Sequence, residues 1–226
     1  MSAFGKAMFA QLAQPDRRVT FRMSDGDGNA IDCPCHDFLK MRTEERDIIG
    51  LCLGGNLHPS VLDIGCGVGR HSSLVRSLSP GAAITVVETD RELRDYAVRV
   101  NPGAVGYEQL DDIPADARFD VVFLLGNGLG VFGTERTTRE GIRRIHGILS
   151  ERGCALIESG NPFPGDFHAA RLQIKYGDLT DGPFTWGGAT RGWLERELGE
   201  IGFDVTSFTR SSMGGPFFII HATRSA

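Results

Sequence analysis

The most informative stretch of the sequence is a short apolar run followed by three alternating glycines. Residues 61–64 are typical of a buried strand, and Gly65, Gly67 and Gly69 follow before an amphipathic stretch begins. Glycine permits a sharp backbone bend and lets a ligand approach closely. A helix that begins directly after such a turn presents unpaired N–H groups and partial positive charge, which suit an anionic group such as a carboxylate. The segment therefore predicts a ligand site between a strand and a helix.

Two acidic residues near this turn help to discriminate between ligands. Asp63 lies two residues before the first glycine, inside the strand end, and Glu88 ends the next strand. A dinucleotide would put its pyrophosphate at the Gly65–Gly69 turn, where the charge of Asp63 is unfavourable, whereas a sulfonium amino acid offers an ammonium that Asp63 can hold. An acidic strand end such as Glu88 can accept both hydroxyls of a ribose. The alternative for Asp63 is a helix-capping residue.

The elements that must position these residues alternate between strand and helix patterns from residue 60 onward. The apolar runs at 61–64, 84–87, 119–125 and 154–158 are separated by stretches with helical spacing. This alternation predicts βαβ units and a mainly parallel sheet, whose strands are apolar because both faces are buried. Near the end of the chain, Thr190 and Gly202 bound a predicted helix, and a short loop joins strands 203–209 and 217–223, which should pair antiparallel.

Residues 61–71 resemble motif I of the class I S-adenosylmethionine-dependent methyltransferases. Residues 86–90 resemble the second motif of that family and residues 119–122 its fourth strand, so the likeness runs from about residue 60 to 160. The resemblance implies an α/β fold with a Rossmann-like, mainly parallel seven-stranded sheet, helices on both faces and an antiparallel C-terminal strand. A small N-terminal helix and β-hairpin cap is expected in addition.

The resemblance also implies a cofactor site for S-adenosyl-L-methionine, with S-adenosyl-L-homocysteine as the product. The glycines would wrap the methionine portion, Asp63 would lie beneath it, and Glu88 would bind the ribose. Where the family often has an acidic residue for the adenine amino group, this chain has Gln109, whose side-chain oxygen can accept, while the Leu110 N–H serves the ring. The predicted cofactor residues are Asp63, Gly65, Cys66, Gly67, Gly69, Arg70, His71, Glu88, Thr89, Gln109, Leu110 and Gly126.

Three further residues are predicted to act on the methyl acceptor. Methyl transfer mainly requires positioning, because the cofactor carries the activation, but a hydroxyl acceptor needs a general base. Asn127 follows the fourth strand, in a turn similar to one in glycine and sugar N-methyltransferases; alternatively, it bonds its own backbone. Glu158 and His168 are the predicted bases. No metal site is expected, since residues 126–134 hold no acidic cluster.

The chain divides into a predicted cap, 1–56, and a methyltransferase domain, 57–226. A predicted insertion at about 159–189 is rich in proline, glycine and aromatic residues. Loops of that length are commonly functional, so it is the expected substrate region; the alternative is a packed flap without ligand contacts.

Composition narrows the function classes. The 226 residues carry a net charge of −5 without a basic run, which disfavours nucleic acid as a partner and RNA or protein methylation as the activity. No apolar run could span a membrane, and five irregularly spaced cysteines predict reduced thiols in the cytoplasm. Cys33 and Cys35 lack a second ligand pair at zinc-like spacing. The sequence thus favours methyl transfer to a nitrogen or oxygen of a small molecule, such as a secondary metabolite, over two alternatives: a nicotinamide-dependent oxidoreductase and a catalytically silent cofactor-binding protein. It leaves the oligomeric state open.

Overall fold

The N-terminal part of the chain forms a helix, a hairpin and two further helices in a computed structural model that describes residues 1–211 and 215–225. In chain order these elements are α1 (Ala3–Ala13), β1 (Thr20–Asp25), β2 (Ala30–Pro34), α2 (His36–Leu39) and α3 (Thr43–Leu53). The hairpin turn closes because the Asp25 carboxylate accepts the backbone N–H groups of Asp27 and Asn29. The predicted helix and hairpin are therefore both present.

The central sheet has seven strands within the described residues, in the order β11-β12-β7-β6-β3-β4-β5. These strands are β3 (Ser60–Ile64), β4 (Ala83–Val87), β5 (Val105–Tyr107), β6 (Phe119–Leu124), β7 (Leu149–Ser159), β11 (Phe203–Arg210) and β12 (Phe218–Arg224). β3 pairs parallel with β4 and β6, and β12 pairs antiparallel with both β7 and β11. The predicted α/β fold with a mainly parallel sheet and an antiparallel C-terminal strand is confirmed.

Helices cover both faces of this sheet. They are α4 (Arg70–Leu78), α5 (Arg91–Val100), α6 (Glu135–Ile148) and α7 (Arg191–Ile201). Successive side chains of a strand point to opposite faces, so Val122 packs in the cluster with residues of α6 and α7, whereas Phe123 packs with residues of α3 and α4. As predicted, Thr190 caps α7 by accepting the Trp193 N–H, and Gly202 ends it with a φ of 106°.

A second sheet joins the N-terminal hairpin to the predicted insertion. The strands of the insertion are β8 (Phe167–Tyr176), β9 (Leu179–Thr180) and β10 (Phe184–Ala189), and the sheet order is β10-β8-β1-β2, with β9 paired to β8. Met23 of β1 lies opposite Ile174 of β8. The predicted division at residue 56 stays a prediction, but the cap and the insertion share one sheet. No helix among the described residues is long and apolar enough to cross a membrane.

Candidate functional site

The glycine-rich turn between β3 and α4 has the backbone conformation that only glycine adopts easily. Gly65, Gly67 and Gly69 have φ values of 69°, 54° and 76°. A Cβ atom on Gly65 would lie 3.1 Å from Val131, and one on Gly69 would lie 3.0 Å from Ala97. A Cβ atom on Gly67 would meet nothing within 4 Å. The outer glycines are therefore needed for packing, and the middle one exposes its backbone to open space.

Glu88 closes one side of this open space. It follows β4, and its carboxylate accepts the N–H groups of Gly67 and Asp90, each at 3.0 Å. Burial raises the pKa of the Glu88 carboxyl, and these two hydrogen bonds oppose that shift. Oε2 can accept a second hydrogen bond, and Oε1 has besides Asp90 only a long contact with the Thr89 hydroxyl, so Glu88 is oriented yet still has acceptor capacity. The neighbouring Thr89 is exposed, with its hydroxyl 3.4 Å from the same carboxylate.

Asp63 and Cys66 lie beneath the turn. Asp63 is 1% exposed, and its carboxylate accepts the hydroxyl of Ser72 at 2.8 Å. Burial raises the pKa of the Cys66 thiol, and the charges of Asp63 and Glu88 raise it further, so this cysteine stays a neutral thiol. Asp63 is thus tied to the first turns of α4, as a support for the glycine-rich turn.

Glu45 of α3 binds the side chains of two predicted cofactor residues, Arg70 and His71, in a buried ionic network that sequence reasoning missed. Its carboxylate is fully buried and accepts two hydrogen bonds from Arg70, at 2.6 and 2.7 Å, and lies 3.2 Å from His71 Nε2. Arg42 also donates to it. Burial alone would raise the pKa of Glu45, but the hydrogen bonds from His71, Arg42 and Arg70 together hold it far below its usual range. The side chains of Arg70 and His71 therefore point to Glu45.

A weak sequence signal for this network exists. Glu45 lies three and four residues before Ile48 and Ile49, so it falls on the face of α3 that faces the core. An acidic residue on an apolar helix face needs a cationic partner, but nothing local identifies Arg70 as that partner.

Glu158, at the end of β7, is the second buried carboxylate. It accepts the N–H groups of Gly126 at 2.6 Å and Asn127 at 3.2 Å, a hydrogen bond from Arg42 at 2.6 Å, and the Ser211 hydroxyl at 2.7 Å. Three of these donors converge on Oε2, and the Ser211 hydroxyl donates to Oε1. The geometry favours a positioning role for Glu158 over proton abstraction, and its role as a base stays a prediction.

Asn127 is held by Glu158 in the left-handed conformation, which asparagine tolerates better than most other non-glycine residues. It is the non-glycine residue with positive φ among those described, at 59°. Its side-chain Oδ1 is buried and has no hydrogen-bond partner in the described part of the chain. The alternative of a turn asparagine whose side-chain oxygen bonds its own backbone is therefore wrong for this structure. A buried acceptor without a partner costs about 1–3 kcal/mol, which a donor on a bound molecule would recover.

The predicted insertion reaches the loop that carries Asn127. Residues Gly128–Phe132 form a 3₁₀ helix after Asn127, and a Cβ atom on Gly130 would lie only 2.0 Å from the indole nitrogen of Trp186 in β10. Val131 of the same 3₁₀ helix is the residue that a Cβ atom on Gly65 would contact. This helix therefore lies between the insertion and the glycine-rich turn.

The N-terminal helix lies beside Glu88. The backbone N–H of Ser2 donates to the Asp90 carboxylate at 2.9 Å, and that of Ala3 donates to Asp181 at 2.6 Å. Val68 of the glycine-rich turn packs against the same apolar cluster as α1. The cap is thus attached next to both halves of the candidate cofactor site.

The remaining predicted residues lie apart from this centre. His168 stacks on Phe163 with 4.1 Å between ring centroids, and no hydrogen bond or ring contact within the described ranges joins it to Glu158 or Asn127. Gln109 is exposed and its backbone N–H donates to Asp112, while Leu110 packs partly against the core. Their predicted roles as base and adenine contacts stay predictions.

Comparisons with known proteins give a fold but no close relative. No protein-family model matches the sequence, and no curated protein matches it. One similar solved structure is a SAM-dependent methyltransferase from Bacteroides fragilis in complex with S-adenosyl-L-homocysteine. It superposes with a TM-score of 0.81 at 17% identity, over 100% of this chain and 95% of that one. The 1,6-didemethyltoxoflavin-N1-methyltransferase of Burkholderia thailandensis gives a TM-score of 0.64 at 18% identity, over 81% of this chain and 78% of that one.

A third solved structure matches over nearly the whole of both chains. The CcbJ methyltransferase from Streptomyces caelestis gives a TM-score of 0.64 at 15% identity, over 100% of this chain and 99% of that one. At these identities the likeness establishes the fold, which is that of the class I S-adenosylmethionine-dependent methyltransferases.

Proposed function

We propose that this protein transfers the methyl group of S-adenosyl-L-methionine to a nitrogen or oxygen of a small molecule in the cytoplasm. The observation that carries the proposal is the open backbone at Gly67, where a Cβ atom would meet nothing within 4 Å, beside the partly buried carboxylate of Glu88. The fold supports it, because solved structures with this fold include methyltransferases with the cofactor or its product bound.

The residues around the turn fit the cofactor. When bound, S-adenosyl-L-methionine supplies a methyl group already activated by its sulfonium. The residual acceptor capacity of Glu88 suits the two ribose hydroxyls, and the N–H groups at the start of α4 suit the carboxylate. Asp63 supports the turn from below and adds negative charge near the ammonium.

Asn127 is the residue that we assign to the acceptor. Its unpartnered Oδ1 accepts an N–H or O–H of the substrate, which orients the reacting lone pair toward the methyl group. Glu158 keeps Asn127 in place through its backbone N–H, and Arg42 in turn holds Glu158. Trp186 packs on Gly130 and so joins the insertion to the loop that follows Asn127.

The nicotinamide-dependent alternative is less well supported. A pyrophosphate would need the N–H groups of the glycine-rich turn, but the Gly67 N–H already donates to the Glu88 carboxylate. Phosphate would approach that carboxylate and Asp63 as like charges, which is repulsive. A catalytically silent binding protein shares the cofactor site and differs only in turnover.

Mass spectrometry of the purified, gently denatured protein tests the cofactor, and we expect S-adenosyl-L-homocysteine to be released. Calorimetry should then detect S-adenosyl-L-homocysteine binding but no binding of reduced nicotinamide dinucleotide. Labelled methyl transfer to a panel of amines and phenols tests turnover. Binding of the dinucleotide with S-adenosyl-L-homocysteine excluded would overturn the proposal, and cofactor binding without transfer to any acceptor would favour the silent protein.

A further inference from the structure

Two thiols and an imidazole converge on the central sheet away from the candidate methyl-transfer site. Cys52 of α3, Cys154 of β7 and His221 of β12 each offer one ligand atom, and these atoms all lie within 4.8 Å of one another. We call them the thiol–imidazole cluster. Cys154 is buried, and the other two are partly buried. Within the described residues no other group of histidine, cysteine or acidic side chains converges in this way.

The cluster is separate from the predicted cofactor and acceptor residues. Cys154 lies four residues before Glu158 along β7, a distance of about 13 Å at the usual rise per strand residue. Neither of the cysteines that looked like a metal motif in the sequence, Cys33 and Cys35, belongs to it; both are buried in the apolar cluster beneath α1. The convergence arises from three elements distant in sequence and is not visible as a motif.

The three ligand atoms already converge, since all of them lie within 4.8 Å of one another. No disulfide joins the two cysteines, which are both free thiols. A cation at this point would bind three atoms that already face one another, so little rearrangement is needed.

The hydrogen bonds of His221 determine which ring nitrogen can bind a cation. Its Nδ1 lies 2.9 Å from the hydroxyl of Thr206, and that hydroxyl can donate its single proton to the His221 carbonyl, 3.1 Å away. In that arrangement the Thr206 oxygen accepts from Nδ1–H. This leaves the lone pair on Nε2, and such a contact on the other nitrogen is the usual support for a metal-binding histidine.

We propose that the thiol–imidazole cluster binds a zinc ion through Cys52 Sγ, Cys154 Sγ and His221 Nε2. Two sulfurs and one imidazole are a ligand set that zinc prefers, and a water molecule completes the tetrahedron. Each thiol releases its proton to solvent when the ion binds, and no electron transfer is involved. Asp120, a nearby carboxylate, does not belong to the group of ligand atoms within 4.8 Å of one another, and its two oxygens accept the Ser60 N–H and the Ser150 hydroxyl.

The ion would attach α3 to the sheet. Glu45 and Cys52 are seven residues apart on this helix, about 10 Å along its axis. Zinc at Cys52 would therefore fix the helix whose other end carries Glu45 into the candidate site. We expect zinc to raise the thermal unfolding midpoint of the protein, whatever its activity.

The experiment uses reduced, untagged protein and zinc chloride. Competition with a chromophoric chelator should give one zinc per chain, and elemental analysis after dialysis should agree. Cys52→Ser and His221→Gln should weaken binding by more than about 100-fold, beyond the loss typical of an outer-shell partner, and Thr206→Val by about 10–100-fold. Cys33→Ser removes a buried cysteine outside the cluster and should leave zinc binding unchanged.

Cobalt provides a test that needs no variant. Cobalt(II) added to the wild-type protein should give a thiolate-to-cobalt charge-transfer band that zinc abolishes. The proposal is overturned if this band is absent, if zinc binding is equal in Cys33→Ser and Cys52→Ser, or if the reduced protein takes up no zinc. Recovery of only a Cys52–Cys154 disulfide, without zinc uptake after reduction, would also overturn it.

Discussion

Alanine at Gly67 tests the cofactor site with an internal control for the cost to the fold. Gly67 and Gly28, in the hairpin turn, both have positive φ, at 54° and 88°, and a Cβ atom on either would meet nothing within 4 Å. Alanine in that conformation costs about 1–2 kcal/mol. Both substitutions should therefore lower the free energy of unfolding by similar amounts, and any difference between them in ligand binding reports on the site.

The expected difference follows from the space that the new methyl group takes. In the proposed complex the cofactor approaches the Gly67 backbone, so a Cβ atom there overpacks the contact. Overpacking costs about 1–3 kcal/mol, which corresponds to about a 5- to 150-fold higher Kd at 1.4 kcal/mol per factor of ten. Gly67→Ala retains the N–H that donates to Glu88, so the loss is steric.

Isothermal titration with S-adenosyl-L-homocysteine on the wild type, Gly67→Ala and Gly28→Ala measures this difference. Chemical unfolding of the same three proteins measures the cost to the fold. We expect equal destabilisation but weaker binding only for Gly67→Ala. Equal Kd values for the two variants, with both folded, would refute the assignment of the open space to the cofactor.

Three further predictions concern the carboxylates and the acceptor. Burial raises the pKa of Glu88, so acidification toward that raised pKa should protonate the carboxylate and weaken S-adenosyl-L-homocysteine binding. In calorimetry, Glu88→Gln should bind this ligand about 1–3 kcal/mol more weakly at neutral pH and should lack the pH dependence. Asn127→Gly suits the positive φ while removing the amide, so kcat/KM for the identified acceptor should fall by about 5- to 30-fold, a lost hydrogen bond of about 1–2 kcal/mol, with unchanged cofactor Kd and no loss of stability. The pKa of Glu45 is lowered on folding, so the unfolded chain takes up the proton first and the stabilisation is lost as pH falls below about 4.3. In urea unfolding, Glu45→Gln should therefore lower the free energy of unfolding by about 3–5 kcal/mol at pH 7 and by less at pH 4. An equal cost at both pH values would contradict the ionic role.

Local sequence patterns were sufficient to predict six of the seven strands of the central sheet, but not β5, which has three residues and no buried side chain. The apolar runs are short and are bounded by polar or glycine-containing segments. Such runs are typical of parallel strands that are buried on both faces of a sheet. The glycine-rich turn was equally predictable, because three closely spaced glycines after a strand permit the positive φ values that a sharp turn needs. The helix bounds at Thr190 and Gly202 followed from the same local chemistry.

Pairing between distant segments could not be predicted in this way. Arg42 contacts Glu158 across 116 positions, and neither residue carries a local mark of the other. Met23 of β1 pairs with Ile174 of β8, although a single strand pattern is compatible with several partners. The buried network was therefore missed, and the assignment of Arg70 to the cofactor stays a prediction, with its side chain held by Glu45.

This difference separates the two halves of the candidate site. The glycine-rich turn and Glu88 come from consecutive strands, so their chemistry is visible within about thirty residues, the length of a βαβ unit. The acceptor side requires Arg42 from the cap, Asn127 after β6, Glu158 at the end of β7 and Trp186 from the insertion. The Asn127 backbone depends on Glu158, and Glu158 depends on Arg42, so changes in the cap alter the loop that would meet the substrate. The acceptor side of the site therefore depends on the assembled fold, whereas the cofactor side depends largely on one segment of the sequence.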